Sequence, residues 1–145
     1  MEGIIRHEFV FTQPPEEVWN YLTDPELLAL WLMPNDFKPI VGHRFQFKAR
    51  ARLGLKFNGD IYCRVLEIIP FRKLVYSWQG GMSKENPSLD SIVTWTLTSS
   101  PGGGTILLLE HKGFRGKNSL TWFTMNIGWA KIGRRLRNHI NQKTL

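Results

Sequence analysis

Apolar and polar residues alternate along most of this chain, and the alternation gives way to a spacing of three and four near its end. Residues 4–12 set Ile5, His7, Phe9 and Phe11 against Ile4, Arg6, Glu8 and Val10. That predicts a strand with the aromatic set facing the core. Gln13-Pro14-Pro15 stops it. Proline suits a first helical turn, and Glu16 and Glu17 complement the positive helix end, so a short helix follows with Val18, Tyr21 and Leu22 buried. Asp24-Pro25 supplies an N-cap and first residue for a second short helix, which carries Leu27, Leu28, Leu30 and Trp31 and ends near Met33-Pro34. Residues 35–42 read as loop, punctuated by Pro39 and Gly42.

The middle of the chain is a run of strands. Arg44-Phe45-Gln46-Phe47-Lys48 alternates with both phenylalanines inward, and residues 53–55 form a turn. Residues 57–69 oppose Ile61, Cys63 and Val65 to Asp60, Tyr62 and Arg64; Glu67 breaks that parity, which predicts a bulge. Residues 73–79 put Leu74, Tyr76 and Trp78 on one face, and residues 80–89 read as a polar loop. Residues 91–99 turn Val93, Trp95 and Leu97 inward and three threonines to the wet face. Pro101-Gly102-Gly103-Gly104 is a hairpin turn, and residues 105–111 return with Leu107, Leu109 and His111 inward and Glu110 outward. After a link over residues 113–119, Trp122, Met125, Trp129, Ile132, Leu136 and Ile140 fall on one helical face, with Lys131, Arg134, Arg135, Arg137 and Asn138 opposite. Strands joined by turns run antiparallel, so the class is α+β: a curled antiparallel sheet around a long C-terminal helix, with two short helices after the first strand.

With 145 residues, no internal repeat and no linker, the chain reads as a single domain spanning residues 1–145. The formal net charge of +7 is scattered and contains no block of five or six like charges, which favours solubility and edge protection over a nucleic-acid or membrane footprint. One cysteine excludes an internal disulfide and fits a reducing compartment. No secretory n- and h-region and no membrane-length apolar run is visible, so a cytoplasmic location is expected.

The ordered set of segments resembles the Aha1 C-terminal-like (activator of Hsp90 ATPase homologue) family of the START-like, Bet v 1-like helix-grip superfamily. The resemblance is carried by Pro14-Pro15-Glu16-Glu17-Val18-Trp19, Asp24-Pro25 with Leu30-Trp31, and Pro34-Asn35-Asp36-Phe37-Lys38-Pro39 leading to Gly42, Phe45 and Phe47. It continues through Gly59, Val65-Leu66-Glu67-Ile68, Leu74-Val75-Tyr76-Ser77-Trp78 and Gly103-Gly104-Thr105, and ends with His111-Lys112-Gly113-Phe114 and Gly128-Trp129. It implies a cavity between sheet and C-terminal helix, where relatives bind hydrophobic small molecules. Some relatives are polyketide aromatase/cyclases, and the Hsp90-activating ones are cochaperones.

Catalytic and cofactor chemistry finds little support in the residues. His7, His43, His111 and His139 form no metal-binding spacing. No GxSxG elbow, dinucleotide fingerprint or phosphate loop is present, so no cofactor is expected. His111 reads as a satisfied pocket histidine, with an acid/base role as the sharper alternative. Cys63 reads as a small buried hydrophobe. The positive signal is aromatic. Trp31, Phe45, Phe47, Cys63, Tyr76, Trp78, Trp95, His111, Trp122, Met125 and Trp129 are the expected ligand-binding set, lining an apolar pocket for a lipophilic or aromatic small molecule. So many large rings are expected to leave space between them. Two further readings stay open: a chaperone cofactor meeting an acidic protein through the basic helix face, and a cyclase-like enzyme using His111, Tyr76 or Glu67. Gly128 and Gly133 are expected to permit close approach or bending of the final helix, with Gly128 as a possible hinge for a pocket lid.

Overall fold

A computed structural model describes residues 3–48, 60–83, 86–114 and 119–144. The turn expected at residues 53–55, the strand start at 57–59 and the side chain of Trp122 lie outside the described residues. Strand β1 (Gly3–Phe11) is followed by α1 (Pro15–Thr23) and α2 (Pro25–Trp31). Then come β2 (Arg44–Lys48), β3 (Asp60–Ile69), β4 (Lys73–Ser83), β5 (Asn86–Ser99) and β6 (Thr105–Phe114), and the chain closes with α3 (Ser119–Thr144). The strands form one antiparallel sheet in the order β1-β6-β5-β4-β3-β2. β2 to β6 are therefore a meander, and β1 joins its far edge.

The local signals act as their chemistry requires. Pro15 and Pro25 open their helices, and the Asp24 side chain accepts from the Glu26 and Leu27 N–H groups. The register shifts between Val65 and Glu67, so Glu67 leaves the inner face, is half exposed and meets Lys73 at 3.1 Å. Gly102 and Gly103 take positive φ in the β5–β6 turn. One boundary differs in kind from the sequence reading. Residues 80–89 are mostly strand, because β4 and β5 pair on past Gly80↔Leu89 to Ser83↔Asn86. β6 likewise continues through Gly113 to Phe114, and α2 ends two residues early, at Trp31.

α3 lies along the β1/β6 side of the inner face and packs against α2. Trp129, Leu136 and Ile140 are buried beneath it, Met125 and Ile132 are half-buried, and Lys131, Arg134, Arg135, Arg137 and Asn138 are exposed. Its direction follows from its contacts. His7 Nε2 donates to the Asn126 Oδ1 (2.9 Å) and main-chain O (3.1 Å), Gly133 sits on Phe9, and Arg137 reaches the Val10 carbonyl. α3 thus runs parallel to β1, and its first turns project past Ile5 toward the end of the sheet that holds Trp78 and Gly80.

The two helix glycines have different explanations. A Cβ on Gly133 would collide with Cε1 and Cζ of the Phe9 ring, so this position permits close approach. A Cβ on Gly128 would meet nothing within 4 Å among the described residues, and the helix runs through it without a break. Gly133→Ala should therefore lower the unfolding free energy by about 1–3 kcal/mol through overpacking. Gly128→Ala should raise it by up to about 1 kcal/mol through helix propensity. Urea denaturation of both variants measures the opposite signs.

Candidate functional site

The inner face of the sheet can be read as rows. One is Val65, Tyr76, Val93, His111 and Ile5; the next toward the open end holds Trp78 and Ser91; beyond it lie Phe47, Ile61, Gly80 and Leu89. Tyr76, Trp78, Trp95, Phe45, Phe47, Cys63 and His111 are all buried, as is Trp31 from α2.

These rings touch one another. Trp31 meets Trp95 edge-on at 5.8 Å between centroids, Trp95 meets Trp129 at 5.6 Å, Trp129 meets Trp78 at 5.2 Å, and Trp78 meets Phe47 at 5.4 Å. Phe45, Phe37 and Tyr76 continue the chain of contacts at 5.0–6.4 Å. Tilted and edge-to-face pairs at such separations are favourable packing. The expectation that the large rings leave space between them is corrected here: across the middle of the sheet they fill the space by interlocking. Phe37, which came from a stretch read as loop, is one of the buried rings that closes it.

Their polar atoms are also committed. The Trp31 indole N–H donates to the Tyr21 carbonyl at 2.9 Å, and that of Trp95 to the Tyr76 hydroxyl at 2.9 Å. The Trp129 N–H donates to His111 Nδ1 at 2.9 Å. Ser91 Oγ lies 2.8 Å from the Trp78 carbonyl and 2.7 Å from His111 Nε2. A hydroxyl has one proton, and Ser91 gives it to the carbonyl; His111 Nε2 must then carry a proton and donate to Ser91. An indole only donates, so Nδ1 is the acceptor. The network fixes one neutral tautomer.

Burial pushes His111 down to about 3. Burial also raises the Tyr76 phenol, against the lowering effect of the bond from Trp95. The Cys63 thiol is raised by burial, reinforced by the Asp36 charge, which suits a packed hydrophobe and not a nucleophile. Glu67 stays on the outer side with Lys73 and does not join His111 and Tyr76, so the three proton-transfer candidates do not converge. Among the described residues no group of three or more His, Cys, Asp or Glu side chains could hold a metal ion, and no helix is long and apolar enough to cross a membrane.

One step further along the inner face, the described residues pack less closely. Gly80 is buried on the inner face, between Ile61 and Leu89, yet nothing among the described residues lies within 4 Å of where its Cβ would stand. Gly80, expected in a loop, lies in β4, and Ser91 joins the inner face. Extending the Leu74, Tyr76, Trp78 parity by two residues finds the first, and extending Val93, Trp95 backward finds the second.

The architecture, a curled antiparallel sheet gripping a C-terminal helix, defines a protein of the helix-grip class. The model of Activator of Hsp90 ATPase homolog 1-like proteins matches residues 12–141. The protein MLL2253 from Mesorhizobium loti is 35% identical, with 99% of this chain and 100% of that one covered and a TM-score of 0.86. The Aha1 dimer from Colwellia psychrerythraea is 20% identical over 94% of both chains, with a TM-score of 0.73. CalU16 from Micromonospora echinospora is 27% identical over 96% of this chain and 73% of that one, with a TM-score of 0.66. No curated protein matches. The chain belongs to the Activator of Hsp90 ATPase homolog 1-like family.

The His111 network makes a pH prediction. The folded-state value lies below the unfolded value of about 6.5, so below that pH the unfolded chain takes up a proton that the fold refuses. Stability should fall by up to about 1.4 kcal/mol per pH unit from pH ~6.5 toward 3. Between pH 7 and 5.5, above the range where ordinary carboxylates titrate, His111→Gln should flatten this slope in urea-unfolding measurements even though it lowers stability at pH 7.

Proposed function

We propose that this protein is a non-catalytic binder of a hydrophobic or aromatic small molecule, held between the sheet and the first turns of α3. The observation that carries this is the position above Gly80, where no described residue lies within 4 Å of a Cβ and which Phe47, Ile61, Trp78 and Leu89 flank by register. Of the expected ligand-binding set, Phe47 and Trp78 flank this position by register. The Tyr76 hydroxyl accepts from Trp95, and its own proton has no acceptor among the described residues. It sits among the packed rings two rows from Gly80 and serves there as the acceptor that holds Trp95. Binding would be driven by burial of apolar area, about 25 cal/mol per Å² before association costs. Pairing of His111 with Trp129 and Ser91 supports binding over cyclase-like catalysis.

Titration with N-phenyl-1-naphthylamine, followed by dye emission, tryptophan quenching and thermal shift, tests this reading. Saturable binding is expected, and Gly80→Ile should weaken it about tenfold or more while leaving the melting temperature equal or higher. Gly80 has no positive φ, so the side chain is tolerated by the backbone. No response from the wild type to this dye and to a panel of flat lipophilic compounds would end the proposal.

A second reading rests on the exposed Lys131, Arg134 and Arg135 and on the family's name: docking to an acidic face of an Hsp90-type chaperone. It expects a complex at low ionic strength that weakens steeply with salt and with Arg134→Glu/Arg135→Glu. Surface plasmon resonance showing no complex at low salt would remove it.

A further inference from the structure

The outer face of β2, β3 and β4 carries two rows of polar side chains. In the first, Arg44 and Arg64 stand directly opposite each other, with Ser77 beyond on β4. In the second are Gln46, Tyr62 and Gln79. The Val65 N–H bonds to His43 on the β2 side, whereas the Arg64 N–H turns to Ser77 Oγ on the β4 side. Arg44 and Arg64 are therefore a non-hydrogen-bonded pair, the arrangement that brings facing side chains closest, with Cα atoms about 4.5 Å apart.

Like charges in that position are destabilising. Elsewhere on the same face the chain avoids this: Arg6 stands opposite Glu110 and bonds to it at 2.9 Å. Neither Arg44 nor Arg64 has a side-chain hydrogen bond or ion pair with any described residue. Both border a depression of about 330 Å³, within the range of about 300–1,000 Å³ of small-molecule sites. Asp36 stands at its rim, but Asp36 Oδ1 accepts from the Gln46 N–H at 2.7 Å and its carbonyl from His43. Two guanidiniums against one carboxylate leave net positive charge. Ser77 Oγ accepts from Arg64, which frees its proton for donation, while the Gln79 amide nitrogen is held by Asp90 and leaves its oxygen as an acceptor.

We propose that this depression binds a small polar anion, with a phosphate or carboxylate gripped between Arg44 and Arg64. Guanidinium forks suit either group bidentately, and an anion between them turns the strand-pair repulsion into attraction. Ser77 adds a donor to the anion, and Gln46, Tyr62 and Gln79 take the polar remainder of the ligand. The site faces away from the proposed apolar one and stands or falls independently of it.

The test is a two-dimensional amide NMR titration of the full chain with phenyl phosphate and, separately, citrate, at constant ionic strength. Saturable shifts confined to Gln46, Tyr62, Arg64, Ser77 and Gln79 are expected for at least one anion. Arg44→Gln and Arg64→Gln should each weaken binding about tenfold or more, with melting temperature unchanged or raised because the opposed charges are gone. Arg135→Gln on α3 should bind like the wild type. Linear shifts that spread over α3, or equal affinity in all variants, would reduce the effect to the general positive charge and overturn the proposal. Flotation with phosphatidylserine vesicles that depends on Arg44 and Arg64, without saturable binding of either soluble anion, would also overturn it, in favour of a lipid headgroup.

Discussion

The hydrogen bond from the Trp129 indole to His111 Nδ1 spans the gap between α3 and the sheet, and the arrangement of the inner face depends on it. It demands a neutral imidazole with its proton on Nε2, and that proton is taken by Ser91, whose own goes to the Trp78 carbonyl. One residue from each of β4, β5, β6 and α3 is thereby joined in a buried network with every donor matched. Removing one member strands a buried polar group, at about 1–3 kcal/mol. The same bond fixes the rotation of α3. With Trp129 inward, Gly133 falls on Phe9, Asn126 falls on His7, and the arginines face water.

That network also decides what the centre of the molecule cannot do easily. A histidine with both nitrogens occupied and its proton affinity depressed by burial is a poor general base, and Trp78, Phe114 and Trp129 pack around its ring. Both proposed binding sites therefore lie at the margins of the packed region: one at the end of the sheet by Gly80, the other on the outer β2–β4 strip, where Arg44 and Arg64 have no side-chain partner among the described residues.

Much of the fold was legible because its signals are local. Proline at helix starts, Asp24 as a cap, the lost parity at Glu67 and the heptad-like face of α3 each report on residues a few positions away. The inward set was legible for the same reason, since strand parity alone sorts Tyr76, Trp78, Trp95 and His111 from their neighbours. Whether inward rings pack or line a cavity was not legible. That depends on distances between elements remote in sequence, such as Trp31 to Trp95 and Trp78 to Trp129. The pairing of Arg44 with Arg64 was hidden likewise, because register between β2 and β3 is set across a long connection. Polar composition misled at residues 80–89, where β4 and β5 go on pairing to Ser83↔Asn86.

The two candidate sites share β3 and β4, and the period of two in a strand is what makes that possible. Ile61 and Gly80 face the apolar end while Tyr62 and Gln79, one residue away, face the polar depression. A glycine within a strand costs about 0.5–1 kcal/mol in backbone entropy relative to alanine. Directly opposed arginines cost more of the same small margin. A sheet selected for stability alone would place a β-branched residue at Gly80 and an acid at Arg44 or Arg64. Both departures sit on one three-stranded strip, and the Arg44 and Arg64 guanidiniums have no side-chain partner among the described residues. A matched polar network at His111 and Trp129 beside two locally unfavourable choices on one strip is the distribution that a rigid core carrying the two proposed sites would have.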